Sequence, residues 1–283
     1  IKSFCISWMV AVHKIENKGK FDPATVMRLA QQEAVKLCGA ICEQAGVRRL
    51  AQNPLLLTIL ALVFRKQKMS LPKRRAQLYR VAMSILVDVW RDCGLSLDET
   101  IRTLAPLAVY LHQNRAMGLI SKEDLQKKIT ASRKACYKAL PKKERPSSSE
   151  IADEVNKFIQ VVGDQVGFLV ARGESMFGFL HQSFQEYLAG WHLVGGDSAS
   201  HGVAKAATQF IDHIGDARWR EPLLLALGML SERWNEQDRE EMLLLILQSD
   251  NNVSGSLMPR ASLLIISALY EMSNLPATVG KKL

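Results

Sequence analysis

Residues 167–189, GFLVARGESMFGFLHQSFQEYLA, decide the fold that the sequence predicts. Two short apolar runs, 167–171 and 176–180, flank a four-residue turn, which is the pattern of a β-hairpin. Ser183, with Glu186 three residues later, matches a capping box, so we expect a helix to begin there. Helices followed by a hairpin and another helix are the plan of a winged-helix domain, with the hairpin as its wing.

Almost all of the remaining chain is predicted to be helical. Asp22 before Pro23 and Asn53 before Pro54 are helix start signals, because Asp or Asn caps the first turn and proline is tolerated there. The run that follows Pro54 is apolar nearly all round and should be buried. The predicted helices cover 23–45, 55–64, 78–90, 96–112, 121–140, a segment from Ser149 onward, 203–214, 219–233, 239–248 and 259–272. The hairpin contains the only strands predicted.

The sequence therefore predicts a mainly α fold with three domains. Residues 1–70 form a first helical domain with the tail of a preceding domain, 71–195 the winged-helix domain, and 196–283 the start of a helical-repeat, solenoid-like region. A joint is expected at the Gly-Gly-Asp-Ser sequence of 195–198. The charge balance changes at this point, since the chain from Asp197 onward has eight Lys or Arg against eleven Asp or Glu.

Composition excludes several protein classes. With 48% hydrophobic and 23% charged residues the chain is globular, and no apolar stretch is long enough to span a bilayer. Five cysteines, an odd number, suit a reducing compartment better than a disulfide framework. The net charge of +9 includes a run at 65–80 with seven basic residues and no acid. Such a run attracts nucleic acid, nucleotide phosphate or an acidic protein surface, but a solvated helix face with a loop is the simpler explanation of the run taken alone.

Motifs for independent catalysis are missing. The sequence has no G-x-x-x-x-G-K-[ST] phosphate loop, no G-x-G-x-x-G, no H-E-x-x-H, no paired C-x-x-C and no G-x-S-x-G. Cys38 and Cys42 lie one helical turn apart, but without a neighbouring histidine we expect buried core thiols instead of metal ligands. The chain alone is therefore predicted to be inactive as an enzyme.

Two motifs carry a family resemblance. The first is LAQNPLLLTIL at 50–60, and the second is FLHQSFQEYLA at 179–189; WREPLL at 219–224 supports them. In this order and spacing they resemble the NACHT family of signal-transducing NTPases, over residues 8–230. The resemblance implies that the chain is the portion downstream of the nucleotide-binding core, which supplies the phosphate loop, the magnesium-binding motif and the sensor arginine. The resemblance therefore implies an ADP/ATP-controlled switch that gates oligomerisation in innate immune or antiviral defence signalling, and with it a cytoplasmic location.

The resemblance also implies two nucleotide contacts. Pro54 corresponds to the proline that packs against adenine, and His181 corresponds to the winged-helix histidine that contacts the β-phosphate of ADP. The residues leave simpler roles open. Pro54 can serve only as the first residue of a helix, and His181 can be a core histidine that is hydrogen-bonded to backbone. The implied cofactor is ADP or ATP, with Mg²⁺ held by the core domain. The implied partners are the upstream nucleotide-binding domain, further copies of the protein on activation, and an unknown ligand of the downstream region.

A second hypothesis is a nucleic-acid-binding winged helix with a helical scaffold. It depends on Lys127, Lys128, Arg133 and Lys134 on one predicted helix and on Arg172 in the wing. Against it, the wing has a single basic residue, and no basic helix dominates the domain.

Overall fold

The computed structural model describes residues 1–17, 20–89, 96–114, 117–138, 140–165, 167–173, 175–194, 202–252, 258–272 and 274–283. The joint expected at 195–198 lies outside these residues. The chain divides into two compact units, Ile1–Ile85 and Leu86–Leu283, with the boundary inside one helix. The three-domain division at 70 and 195 stays a prediction. None of the helices in the described ranges is both long and apolar enough to cross a membrane.

The first unit is made of helices. They are α1 (Lys2–Asn17), α2 (Pro23–Cys42), α3 (Ala45–Leu50), α4 (Pro54–Lys66) and the beginning of α5 (Arg75–Val89). Asp22 and Asn53 are the N-caps of α2 and α4, as predicted. Helix α4 contributes Leu60 and Phe64 to the core, although Leu62 remains 37% exposed. The predicted burial of this helix is therefore confirmed on all but its outer edge.

The second unit contains a small sheet among helices. In chain order its elements are α6 (Leu97–Asn114), β1 (Leu119–Ser121), α7 (Lys122–Tyr137), α8 (Ser148–Gln160), β2 (Leu169–Ala171), β3 (Met176–Phe179), α9 (Gln182–Leu193), α10 (Val203–Ile214), α11 (Arg220–Arg233), α12 (Glu236–Asn252), α13 (Arg260–Ser267) and α14 (Ala277–Gly280). The mainly α fold with a winged helix is confirmed, and β2 and β3 form the predicted wing.

The sheet has one strand more than the sequence predicted. Its order is β1-β3-β2, and both pairs are antiparallel. Ile120 lies opposite Phe177, and Val170 lies opposite Gly178. The expectation that the hairpin contains the only strands was therefore wrong, because three residues with a single buried side chain carry too little alternation to indicate a strand.

Two helix starts differ from the prediction. Helix α8 begins after Ser147, not at Ser149, and here a capping box is present: Glu150 N donates to Ser147 Oγ at 3.3 Å, and Ser147 N donates to Glu150 Oε2 at 2.7 Å. Helix α13 takes its cap from the preceding helix, since Asp250 accepts hydrogen bonds from Ala261 N at 2.8 Å and Ser262 N at 2.9 Å.

Helices α9 and α11 approach each other closely at a glycine. A Cβ added at Gly190 would lie 2.5 Å from the carbonyl oxygen of Pro222 and 3.2 Å from the amide nitrogen of Ala226. The aromatic and leucine side chains of the second motif are core, as predicted: Phe179, Phe184, Tyr187 and Leu188 are all at most 5% exposed. This packing fixes the position at which α9 begins, beside the end of the wing.

Candidate functional site

Pro54 is the first residue of α4 and is exposed. Asn53 Oδ1 accepts hydrogen bonds from Leu55 N at 2.9 Å and Leu56 N at 3.2 Å, so the cap is complete without the proline nitrogen. The ring therefore lies on the surface of the first unit, which suits contact with another group. Its role in packing against adenine stays a prediction, and it is described apart from His181, which lies in the second unit.

His181 is the N-cap of α9. Its Nδ1 accepts a hydrogen bond from Ser183 N at 3.1 Å and lies 2.8 Å from Ser183 Oγ. The capping box predicted at Ser183 and Glu186 was therefore wrong: Ser183 lies inside the helix, and Gln182 Nε2 donates to Glu186 Oε1 at 2.9 Å. The sequence did not indicate a histidine cap, because Asp, Asn, Ser and Thr are the usual N-cap residues.

The bonds to Nδ1 determine what the other ring nitrogen can do. Because Nδ1 accepts, the neutral ring carries its proton on Nε2 and donates from there. Burial lowers the pKa of His181 below its ordinary value of 6.5, so the ring is neutral at physiological pH. The helix start orients this donor, and the positive end of the α9 dipole favours an anion nearby. The contact with a phosphate stays a prediction, and the bond to backbone is the one expected of the simpler role.

A cavity of about 510 Å³ lies beside His181. Its polar lining side chains come from the wing, from the start of α9, from α6 and from the turn before α11. They are His112, Arg172, His181, Gln182, Gln185 and Arg218. No acidic side chain lines it within the part of the chain that the structure describes. The sequence motif indicated only His181; the remaining groups come from positions up to 106 residues apart.

Two arginines supply the charge of this cavity. Arg172 Nη2 donates to the carbonyl oxygen of Leu180 at 3.4 Å, and its side chain is exposed. Arg218 binds Asp216 through Nε, at 3.1 and 3.2 Å, and through Nη2, at 2.6 Å. Hydrogen bonds from Arg218 lower the pKa of Asp216, and Asp216 in turn raises the pKa of Arg218.

His112 fixes the position of Arg218. Its Nε2 donates to the carbonyl oxygen of Arg218 at 2.9 Å, and Gln185 Nε2 donates to its Nδ1 at 3.3 Å. Its ring meets Trp219 edge-on at 4.8 Å, and Trp219 stacks on His213 at 3.9 Å. Burial is the main cause of the lowered pKa of His112, so the ring is neutral and both hydrogen bonds are satisfied.

Two glycines shape the cavity wall. A Cβ at Gly178 would lie 2.9 Å from Leu119 Cδ2 and 3.1 Å from the carbonyl oxygen of Gly118, so β3 can approach β1 only without a side chain there. Gly118 has a φ of +64°, which L side chains rarely adopt. The wall at this point is therefore mainly backbone, with Arg172 Cγ 4.0 Å from the Cβ position of Gly178.

Cys38 and Cys42, the two cysteines of α2, differ in burial. Cys42 is exposed, so the prediction of a core thiol was wrong there, whereas Cys38 is half-buried and packs against the core of the first unit. Cys5 is the buried thiol, and burial together with its hydrogen bond to Cys38 raises the pKa of Cys5 to about 12. Within the described ranges no three His, Cys, Asp or Glu side chains are grouped to hold a metal ion.

The contacts of α7 weaken the nucleic-acid hypothesis. Arg133 is only 6% exposed and forms ion pairs with Glu99 and Glu154. Lys128 Nζ lies 3.6 Å above the ring of Tyr110, and Lys127 pairs with Asp124 at 3.7 Å. Helix α8 follows α7 and precedes the wing, the place of a recognition helix, and it carries three acidic residues and one lysine. An acidic helix in that place repels the phosphates of nucleic acid, which weakens the second hypothesis.

Comparison with known proteins gives one result that bears on identity. Residues 75–193 match the family model of a winged helix-turn-helix domain C-terminal to NACHT. No curated protein matches the chain. The matched range covers the sheet, the wing and α9, including His181 and Arg172. This part of the chain is therefore similar to the winged-helix domain that lies C-terminal to a NACHT domain.

Proposed function

We propose that this chain is the regulatory part of a NACHT-type signal-transduction NTPase. In this proposal the bound nucleotide, ADP or ATP, controls a conformational switch that gates oligomerisation in cytoplasmic defence signalling. The NACHT domain contributes the phosphate loop and the Mg²⁺ site, and the chain itself contributes no catalytic residue. The family match over residues 75–193 supports the association with NACHT. The observation that carries the switch is the geometry of His181.

His181 has the properties of a phosphate ligand. Its Nδ1 accepts from Ser183 N, so the proton of the neutral ring is on Nε2, and the ring is held at a helix start. A hydrogen bond from Nε2 to a phosphate oxygen is charge-assisted and contributes about 1.5–3 kcal/mol. In the resting state this bond holds the winged helix against the ADP-bound domain. Exchange to ATP breaks it, and the modules rotate about a hinge.

Pro54 would take the other end of the nucleotide. Its exposed ring stands at the first turn of a rigid apolar helix, where the missing N–H costs nothing. A purine that packs on this face gains apolar burial but no directional bond. We therefore assign the control of the switch to His181 and a smaller share of the affinity to Pro54.

The test is substitution of His181 in the protein that carries this chain together with its NACHT domain. His181→Ala removes both the phosphate donor and the helix cap, whereas His181→Asn keeps a cap acceptor and removes the donor. If about 1% of the resting protein is in the open state, removing a bond that stabilises the closed state by about 1.5 kcal/mol raises the open fraction to about 10% or more. Both variants should release ADP and signal without a trigger. Gln182→Ala is the control, because the Gln182 amide donates to Glu186 at 2.9 Å and the proposal assigns it no bond to phosphate, although it lines the same cavity.

Three measurements separate the hypotheses: ADP that remains after purification, basal signalling output and melting temperature. A core histidine would give the opposite result, with a lower melting temperature for His181→Ala and no gain of output. If His181→Asn melts like the wild type, keeps its ADP and stays silent, the clamp does not exist.

A further inference from the structure

The cavity beside His181 combines positive charge with an acid-free lining. Arg172 enters from the wing and Arg218 from the turn before α11, so the two guanidinium groups belong to different segments of the second unit. Histidines 112 and 181 are neutral because burial lowers the pKa of each. The lining side chains therefore include two positive charges and, over the described residues, no negative one, while Asp216 outside the lining offsets part of the charge of Arg218.

The two arginines differ in how firmly they are held. His112 binds the carbonyl oxygen of Arg218 at 2.9 Å, and Asp216 engages its Nε and Nη2. Asp216 does not engage Nη1, so this nitrogen can donate to a ligand without breaking the pair. Arg172 makes one long hydrogen bond, to the carbonyl oxygen of Leu180 at 3.4 Å. A better acceptor than a carbonyl at that distance would displace it easily.

The size of the cavity fits a polyatomic anion. Its volume of about 510 Å³ holds a phosphate group together with several ordered waters, at about 30 Å³ for each water. Gln185 is 6% exposed and is bound to His112, so its amide is oriented and adds a polar wall. The apolar side chains of the wall are Met117, Leu119, Phe179 and Leu180. The charged groups that can select an anion are the two arginines, and His181 adds a ring donor.

We propose that this cavity is an oxyanion site of the phosphate class in which Arg172 and Arg218 bind the ligand together with His181. The inference rests on the proposed function, because it names the residues that recognise the phosphate end at the same site. Its new content is that two arginines supply the charge which a single neutral histidine lacks. One of them comes from outside residues 75–193, so the site spans the winged helix and the helices that follow.

The experiment titrates the full 283-residue chain with inorganic pyrophosphate in low salt, by calorimetry and by NMR of the histidine side chains. We expect saturable binding with a dissociation constant of about 1 mM and a shift of the His181 ring signal with the same midpoint. Arg172→Gln and Arg218→Gln should each weaken binding about tenfold, since each removes a charge-assisted bond. Arg220→Gln, two residues beyond Arg218 and outside the cavity lining, should bind like the wild type.

Further arms identify the recognised group. ADP should bind about as tightly as pyrophosphate, and adenosine should not bind, because the site recognises phosphate. Raising the salt concentration tenfold should weaken binding by screening the exposed guanidinium groups. Adenosine that binds as tightly as ADP overturns the inference. So does a chain that shows no saturable pyrophosphate binding up to about 20 mM, well above the expected constant.

A failure of this inference can be told from a failure of the proposed function. Suppose that His181→Asn weakens pyrophosphate binding, but Arg172→Gln and Arg218→Gln bind pyrophosphate as tightly as Arg220→Gln does. The arginines are then not part of the site, and the proposed hydrogen bond from His181 to phosphate stands. If the arginine variants weaken binding while His181→Asn does not, the anion site stands and the clamp fails. The melting temperature of each variant shows whether it is folded, since all four residues have exposed or half-buried side chains that no core packing requires.

Discussion

Replacing Gly190 by alanine tests the close contact between helices α9 and α11. The new Cβ would stand 2.5 Å from the carbonyl oxygen of Pro222 and 3.2 Å from the amide nitrogen of Ala226, and both of these are backbone atoms that cannot rotate away. Helices α9 and α11 must therefore separate by about 0.9 Å to reach an ordinary contact of 3.4 Å. Overpacking of this kind costs about 1–3 kcal/mol, and a contact with rigid backbone belongs at the upper end.

The alanine also brings a gain that must be subtracted. In a helix interior alanine is about 1 kcal/mol more favourable than glycine, so we expect Gly190→Ala to lower the free energy of unfolding by about 2 kcal/mol. Gly39→Ala in α2 is the matched control, because nothing lies within 4 Å of its added Cβ. That variant should be more stable than the wild type by up to about 1 kcal/mol.

Hydrogen exchange by mass spectrometry reports the two helices separately. Amides of α9 should exchange faster in Gly190→Ala, and those of α2 should exchange more slowly in Gly39→Ala. If Gly190→Ala is as stable as the wild type, the two helices are not in backbone contact at this glycine, and the reasoning from the 2.5 Å approach is refuted.

Three further predictions follow from the caps, the histidines and the thiols. Asn53→Ala should cost about 1 kcal/mol in unfolding free energy, whereas Pro54→Ala should leave folding unchanged and weaken nucleotide binding by about 1 kcal/mol in the NACHT-containing protein, measured by calorimetry. Burial lowers the pKa of His112 below 6.5, so as the pH falls the unfolded chain protonates this histidine before the folded chain does. The free energy of unfolding should therefore be at its full value above pH 6.5 and decrease below it. Urea titrations at two pH values should show a smaller decrease for His112→Gln. Iodoacetamide at pH 8 should label exposed Cys42 and spare Cys5, whose pKa is about 12, until the chain unfolds.

Helix starts were predictable where their chemistry is local. Asp22 and Asn53 cap the helices that the sequence indicated, because the cap and the amides that it binds are within three residues of each other. The start of α9 was misplaced by two residues, since the cap is an imidazole and the nearby Ser183 matched the commoner pattern. Strand β1 depends on pairing with β3, more than fifty residues later, and local periodicity contains no trace of that pairing.

The cavity could be predicted only at His181. The motif that contains this residue indicated an anion contact, but Arg218 reaches the site through a bond from His112 across 106 residues of chain. Charge counting also misled: Arg133 contributes to a basic run in sequence, yet the fold buries it between two glutamates. Packing between helices decides which charged side chains face solvent, and a local segment of sequence does not indicate that packing.

The cap of α13 has a consequence for how the C-terminal helices fold. Asp250 belongs to α12, yet its carboxylate satisfies the first amides of α13. A helix of eight residues is too short to form alone, and here even its initiation is supplied by a neighbour. The two helices must therefore fold as one nearest-neighbour unit, as in a repeat array whose members have no independent stability. Any shortened version of the protein should end before α12 or after α13, because a chain cut between residues 250 and 260 would leave the carboxylate without its amides.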